Sequence, residues 1–264
     1  MRRRSFLKAL SASAVSARLP TAFGVEADAK SGTGVHGPLI DCHIHPMSQT
    51  LHDLIAPFAG KQGSELVRFD GSAIVEYLDD IGAQRAYALS AAYLWGGLRP
   101  HETASPFAVK PDEYDHVRAE NDFVAAQAAA YPDRVIPFLG INPIKPYALD
   151  ELERCVGDLK MRGLKLHFWN SGVNLREDSH LERIHPVFES VAAHDISVML
   201  HFYNGRVDDF GPGDGQLLVD NVLTDFPTLR ICFAHFLGAG NYADVVGDTV
   251  DTLIQASTDH PVLN

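Results

Sequence analysis

From residue 38 onward, short apolar runs rich in β-branched side chains alternate with longer segments whose apolar positions recur at helical spacing. This alternation is typical of βα units, in which helices connect parallel strands. It predicts strands over residues 39–45, 84–90, 134–142, 163–168, 196–202 and 230–236. It also predicts helices near residues 72–82, 115–130, 147–161, 181–194, 214–226 and 242–257.

The predicted class is α/β, and the order of the elements favours a TIM-barrel-like (β/α) domain over residues 38–264. A closed barrel of this kind has eight strands, so only six βα units would leave it C-terminally incomplete. Three explanations stay open: a truncated or frameshifted product, strands that the pattern does not reveal, or another chain that completes the barrel. We favour truncation. Open strand edges would also promote a homo-oligomer.

Residues 1–30 differ from the rest of the chain and predict an export leader. Arg3 and Arg4 precede Ser5-Phe6-Leu7-Lys8, and a stretch of small residues follows. This order resembles the twin-arginine signal of bacteria. The alternative is a basic arm with no export role. We expect a periplasmic or otherwise exported protein, and a cytoplasmic one if the leader is not recognised.

Charge and hydropathy argue against two classes of function. The chain has 22 Lys and Arg against 34 Asp and Glu, for a formal net charge of -12, and this sign disfavours binding to the nucleic acid backbone. Apolar runs in the sequence stay shorter than the roughly 18 residues that a membrane-spanning helix needs. Nucleic acid and a membrane span are therefore not expected, and the partner that we expect is a small-molecule substrate.

His43 and His45 close the first predicted strand. Residues i and i+2 of a strand point to the same face, so both imidazoles are expected to face one site. Two converging neutral imidazoles suit a divalent transition metal ion. The alternative is a pair of barrel-interior histidines that are hydrogen-bonded to their neighbours.

Three later strands also end in histidine, at His167, His201 and His235. The C-terminal ends of parallel strands form the functional face of an α/β barrel, so these side chains are expected to join the first pair. Lys165 shares a strand face with His167. It is a candidate metal ligand, local charge or substrate anchor, and the alternative is a salt bridge inside the barrel.

Three residues that follow the second and fourth strands are candidates for the substrate pocket. They are Trp95, Arg99 and Trp169. The aromatic side chains would line the pocket and Arg99 would bind an anionic group, whereas the alternative for all three is ordinary loop packing.

Taken in order, these motifs resemble the amidohydrolase superfamily. The motifs are Ile40-Asp41-Cys42-His43-Ile44-His45, Gly163-Leu164-Lys165-Leu166-His167, the strand that ends in His201, and Ala234-His235-Phe236-Leu237-Gly238. The resemblance extends from about residue 38 to residue 240 and is greatest to the amidohydrolase-related branch of metal-dependent hydrolases and decarboxylases.

The resemblance implies a metal-dependent hydrolase fold and a role for each motif. His43, His45 and His201 would bind a divalent metal ion, most readily zinc, and His235 would act as an acid or base or orient the bound water. Such a metal lowers the pKa of its water and polarises a carbonyl group. The superfamily also has an aspartate at the end of an eighth strand, for which residues up to Asn264 offer no counterpart.

The preferred function is metal-dependent hydrolysis of a small amide, lactone or ester. The alternatives are a non-oxidative decarboxylase of the same branch and a catalytically incomplete barrel that binds a ligand. Metal ligands common to the two reactions do not separate them, because the choice depends on how the substrate presents its carboxylate or carbonyl.

Overall fold

The structure is a computed structural model and describes residues 38–56, 70–97, 111–202, 211–235, 237 and 243–259. The predicted export leader and Arg99 lie outside the described residues, so both assignments stay predictions. The other predicted site residues all lie within the described ranges.

The described strands form one parallel sheet in which every strand pairs with its neighbours in the chain. The strands are β1 (Ile40–Ile44), β2 (Arg85–Leu89), β3 (Val135–Gly140), β4 (Gly163–His167), β5 (Ser197–His201) and β6 (Arg230–Phe233). Sequential parallel order is the order of an α/β barrel. The structure therefore confirms the predicted class and all six predicted strands.

The sheet is curled rather than flat. Neighbouring strands lie about 4.8 Å apart, so the edges of a flat sheet of this width would be about 24 Å apart. Instead, the His43 ring on β1 lies 5.0 Å from the ring of His235, the second residue after β6. The described strands thus form a half-barrel whose first and last strands face one another at their carboxyl ends.

Helices connect the strands and cover the outer face of the sheet. They are α1 (Gln49–Ile55), α2 (Gly71–Ile81), α3 (Glu113–Ala130), α4 (Ala148–Gly157), α5 (Phe168–Ser171), α6 (Asp178–Ala193), α7 (Pro212–Leu218), which continues into a π-helical turn (Val219–Leu223), and α8 (Ala243–Asp259). A 3₁₀ turn, Ala92–Leu94, follows β2. None of the described helices is both long and apolar enough to cross a membrane.

The sequence pattern missed the shortest helices because local hydrogen bonds, not apolar periodicity, define them. The Ser48 side chain caps α1 by accepting from the Leu51 N–H. The Gly172 backbone ends α5 in the left-handed conformation, with φ 70°, which glycine adopts without steric cost.

The core has two parts. The larger part lies between the sheet and the helices and includes Val135, Leu164 and Val198. A smaller cluster fills the inside of the curl and consists of Leu89, Phe138, Met199 and Ala234. The inner cluster forms a floor beneath the carboxyl ends of the strands.

An extra residue in β1 decides which way its histidines point. Asp41 pairs with Ala86, and Ile44 pairs with Ala88. Between these two pairings, β1 therefore contains one residue more than β2. Residues three apart on a regular strand point to opposite faces. Here, however, Asp41 accepts from the Tyr77 hydroxyl on α2, and Ile44 is buried in the outer core. The bulge therefore reverses the alternation within the motif that contains both histidines.

Gly140 at the end of β3 provides a test of the tight packing below the site. A methyl group at Gly140 would overlap the Ser90 carbonyl oxygen and lie 3.2 Å from the Ala92 nitrogen. Backbone atoms cannot move aside as a flexible side chain can, so we expect Gly140→Ala to lower the free energy of unfolding by about 1–3 kcal/mol.

Gly157→Ala on α4 is the matched control, because a methyl group there meets no atom within 4 Å. It should change stability by no more than about 1 kcal/mol. Urea denaturation of both variants measures the difference, and equal stability of the two would contradict the packing argument.

Candidate active site

The predicted histidines meet at the carboxyl ends of the strands. Ring centroids of His43 and His45 are 4.9 Å apart, those of His201 and His235 are 4.7 Å apart, and those of His167 and His201 are 3.6 Å apart. With the 5.0 Å contact between His43 and His235, the rings form a continuous chain around the curl. Topology alone thus gathers residues that are up to 192 positions apart in the sequence.

His43 and His45 stand at a separation that suits a shared metal ion. Their Nε2 atoms are 3.1 Å apart. Two nitrogens bound to one metal at about 2.0–2.1 Å stand about 2.8–3.4 Å apart when the angle at the metal is about 90–110°. The pair therefore fits two positions of a divalent metal site.

A backbone contact fixes the proton on His45. Its Nδ1 lies 2.9 Å from the Leu89 carbonyl oxygen, which can only accept, so Nδ1 carries the proton and the lone pair is on Nε2. A carbonyl partner of this kind orients a metal-ligating imidazole. Burial lowers the pKa of His45 to about 3 and that of His43 even further below its ordinary value. Both imidazoles are therefore neutral at neutral pH, as ligation requires.

The third predicted ligand, His201, lies beside this pair but makes a different contact. Its ring stacks on His167 with an interplanar angle of 16°, and the two residues are register partners in β4 and β5. Among the described residues, no group of three or more His, Cys, Asp or Glu side chains is arranged to hold a metal ion. The structure brings His43 and His45 together, whereas the ligand role of His201 stays a prediction.

His167 has the opposite proton arrangement to His45. Its Nδ1 accepts from the Asn170 N–H at 3.3 Å, so the proton of the neutral ring is on Nε2. A protonated Nε2 can donate a hydrogen bond but cannot bind a metal. The two backbone contacts therefore separate a ligand-type histidine from a donor-type histidine within one cluster.

His235 occupies a strained backbone position between the two edges of the half-barrel. Its φ of 44° is in the left-handed region, which is uncommon for residues other than glycine. Its ring contacts those of His43 and His201. Burial, followed by the charge of Lys165, lowers the pKa of His235. The ring is therefore mainly unprotonated at neutral pH and can accept a proton.

Lys165 places a buried amine inside the curl. The side chain is 1% exposed, and its charge lowers the pKa values of His43, His45, His167, His201 and His235. Burial lowers the pKa of Lys165 itself to about 7. Within the described part of the chain, no carboxylate pairs with this amine. The expected alternative, a salt bridge inside the barrel, does not occur among these residues.

Aromatic side chains border the histidine cluster on the side of β2 and β4. The His167 ring lies 5.2 Å from Tyr93 and 6.2 Å from Trp169. Trp95 directly follows the 3₁₀ turn that contains Tyr93. Its ring stacks on that of His116, with the two ring centroids 4.2 Å apart. The structure thus places Trp169 next to the cluster and Trp95 in the neighbouring segment, while a role for either in substrate binding stays a prediction.

Asn142 is the residue that the sequence interpretation overlooked. It follows β3, is 1% exposed, and donates from Nδ2 to the carbonyl oxygens of Gly96 and Ser171. Its signal in the sequence is a polar amide at the end of an apolar strand, directly before Pro143. The sequence interpretation selected charged and imidazole side chains, and it therefore missed this amide, which connects two neighbouring loops.

A parallel half-barrel whose histidines gather at the carboxyl ends of its strands has the architecture of the TIM-barrel-like class of proteins. A family model described as Amidohydrolase matches residues 40–261. The chain belongs to this amidohydrolase family, which confirms the predicted superfamily and its amidohydrolase-related branch.

Solved structures share the fold at low sequence identity. The 5-carboxyvanillate decarboxylase from Sphingomonas paucimobilis has a TM-score of 0.56 at 18% identity, over 85% of this chain and 74% of that chain. The dihydroxybenzoic acid decarboxylase from Polaromonas sp. JS666, solved with bound manganese and the inhibitor 2-nitroresorcinol, has a TM-score of 0.53 at 22% identity, over 78% and 68%. The 4-oxalomesaconate hydratase from Rhodopseudomonas palustris has a TM-score of 0.51 at 18% identity, over 86% and 72%.

The proton assignments of His45 and His167 predict different effects on metal retention. His45→Ala, and equally His43→Ala, should abolish metal binding because each removes one nitrogen of the 3.1 Å pair. His167→Phe should keep the parent's metal content, since its Nε2 is protonated. Elemental analysis after loading with Mn²⁺ or Zn²⁺ measures this, and far-ultraviolet circular dichroism checks that the helices persist.

Metal content equal to the parent's in His45→Ala would contradict the assignment of the pair. Loss of metal in His167→Phe would show that the ring changes its proton arrangement and acts as a ligand.

Proposed function

We propose that this chain is a metal-dependent enzyme that removes carbon dioxide from an aromatic carboxylic acid without oxidation. The proposal rests on one observation: Lys165 is a buried amine among neutral imidazoles, and no carboxylate among the described residues pairs with it. Such an environment suits an anionic group, because an arriving carboxylate would be the missing counter-charge. An uncharged ester or amide would leave the amine unpaired.

The aromatic border supports an aromatic acid over an aliphatic one. Tyr93 and Trp169 present flat rings beside His167. Aromatic rings attract other rings in stacked or edge-to-face contacts, worth about 0.5–1.5 kcal/mol for each pair beyond the burial of area. The comparison structures named as decarboxylases of dihydroxybenzoate and carboxyvanillate agree with this substrate class.

His43 and His45 would hold the divalent metal ion, with His201 as the proposed third ligand. When bound, the ion supplies positive charge that stabilises negative charge on a substrate oxygen. The manganese in the Polaromonas decarboxylase favours manganese here, while the imidazole ligands equally suit zinc.

Decarboxylation requires one proton transfer. The bond between the ring carbon and the carboxyl carbon breaks, carbon dioxide leaves, and a proton forms the new C–H bond. We assign this proton to His235, because its ring lies 5.0 Å from that of His43 and 4.7 Å from that of His201. An anionic substrate nearby raises the pKa of an imidazole, which lets a ring that is otherwise neutral take up a proton.

The test uses the full chain loaded with Mn²⁺ and, separately, with Zn²⁺. Release of carbon dioxide from 2,6-dihydroxybenzoate and 5-carboxyvanillate is measured beside hydrolysis of a panel of lactones, esters and amides. We expect one carbon dioxide for each acid consumed. His235→Asn should retain the metal and lower kcat by about 100-fold or more, as loss of a proton-transfer group does.

Two results would overturn this proposal. Hydrolysis without release of carbon dioxide would restore the expectation of a metal-dependent hydrolase. Bound acid without turnover by the metal-loaded chain would indicate a ligand-binding barrel that is catalytically incomplete.

Lys165→Met tests the anchoring of the carboxylate. Methionine keeps an unbranched apolar stem of similar length but has no charge. Loss of one hydrogen bond between charged groups, worth about 1.5–3 kcal/mol, should raise KM for the acid by roughly 10- to 100-fold and leave metal content unchanged. Steady-state kinetics and elemental analysis give these two quantities.

Lys160→Met is the control. Lys160 is an exposed lysine that precedes β4 at the end of the strand away from the histidines, and its amine donates to the Gly157 carbonyl oxygen. KM should stay at the parent's value in this variant. An unchanged KM in Lys165→Met as well would remove Lys165 from substrate binding.

A further inference from the structure

We propose that Asn142 is a positioning residue that holds the two tryptophan-bearing segments together as one wall of the pocket. The proposal rests on the proposed function in one respect, namely that this wall receives an aromatic substrate. Asn142 itself is assigned no contact with the substrate.

The Asn142 amide uses its donors and its acceptor in three different directions. Nδ2 donates to the Gly96 carbonyl oxygen at 2.7 Å and to the Ser171 carbonyl oxygen at 3.1 Å, while Oδ1 accepts from the Ile144 N–H at 3.1 Å. Both donor hydrogens of the amide are therefore committed. A buried amide with all of these bonds made has one orientation, so the two carbonyl groups are held at fixed positions.

Each of the two carbonyl acceptors belongs to a tryptophan-bearing segment. Gly96 directly follows Trp95 in the segment after β2, and Ser171 ends the short helix α5, which contains Trp169 after β4. Asn142 follows β3, the strand between β2 and β4 in the sheet. One side chain just after β3 therefore connects the segments that follow both neighbouring strands.

Close packing shows that the two segments fit one another at this place. A methyl group on Gly97 would lie 3.0 Å from the Asn170 carbonyl oxygen, a contact that is tighter than ordinary van der Waals contact. The backbones thus approach without side chains between them. Both segments also contribute to the larger apolar core, through Leu94 and Phe168, and the hydrogen bonds from Asn142 connect their backbones to one side chain.

Loss of this link has a predictable effect. Without the two donated bonds, the segments that contain Trp95 and Trp169 are held less firmly to one another, and two buried carbonyl oxygens lose their partners. The wall then becomes less well defined, whereas the histidine cluster and Lys165 stay on the strands. Binding of the ring should suffer more than the chemical step.

The chain offers a direct optical test, because its two tryptophans are the two residues in question. Both are buried, with exposures of 5% for Trp95 and 9% for Trp169. Quenching of tryptophan emission by acrylamide therefore measures how accessible this wall is, and it requires neither metal nor substrate. The variants are Asn142→Asp, which keeps the shape and the acceptor but removes both donors, and Asn142→Ser, should the aspartate variant not fold.

Asn121→Ser is the matched control for Asn142→Ser. Asn121 is also a fully buried asparagine, but its bonds go to both backbone groups of Gly140 and to Glu151 rather than to the Trp95 and Trp169 segments. Both serine variants should lose stability. The acrylamide quenching constant should rise at least about twofold in the Asn142 variants and stay at the parent's value in Asn121→Ser.

With 2,6-dihydroxybenzoate as the probe, KM should rise about tenfold in Asn142→Ser, with kcat within about threefold of the parent's, because about 1.4 kcal/mol of binding is lost. An unchanged quenching constant in Asn142→Ser, or an equal rise in Asn121→Ser, would overturn the positioning role, as would a fall in kcat at unchanged KM. If the parent turns over no acid, the proposed function fails, and the quenching experiment still decides the role of Asn142.

Discussion

The parallel pairing of the strands, in register and in chain order, is the constraint on which the rest of the structure depends. It places every carboxyl end on the same rim and makes His167 and His201 direct neighbours across β4 and β5. The curl then brings the first and last strands together, so that His43 and His235 meet. The meeting of the histidines at one rim is therefore a property of the whole sheet, while local backbone features such as the bulge in β1 set the orientation of single rings.

Much of this arrangement could be predicted, because short apolar runs that alternate with helical segments are a strong and simple pattern. Each observed strand lies inside its predicted range, and the convergence of the histidines followed from their position at the strand ends. The pattern could not show which ring nitrogen carries a proton. That depends on Leu89 and Asn170, whose backbone groups reach His45 and His167 only in the folded chain. Asn142 was missed for the same reason, since its partners come from two other loops.

The net charge of the whole chain and the charge available inside the curl have opposite signs. The chain as a whole has a formal charge of -12, yet the inside of the curl contains Lys165 and neutral imidazoles without a described carboxylate partner. Long-range attraction therefore does not bring an anion to the site. Selection of an anionic ligand has to come from short-range contacts in a poorly hydrated environment, where charge interactions are stronger.

The bulge in β1 decides which polar side chains of this strand reach the rim. In a regular strand with these same residues, Asp41 would share a face with His43 and His45. The additional residue between the Asp41 and Ile44 pairings places Asp41 on the outer face instead, where it accepts from the Tyr77 hydroxyl. The irregularity therefore keeps a carboxylate out of the half-barrel, where it would compete with an anionic ligand for Lys165.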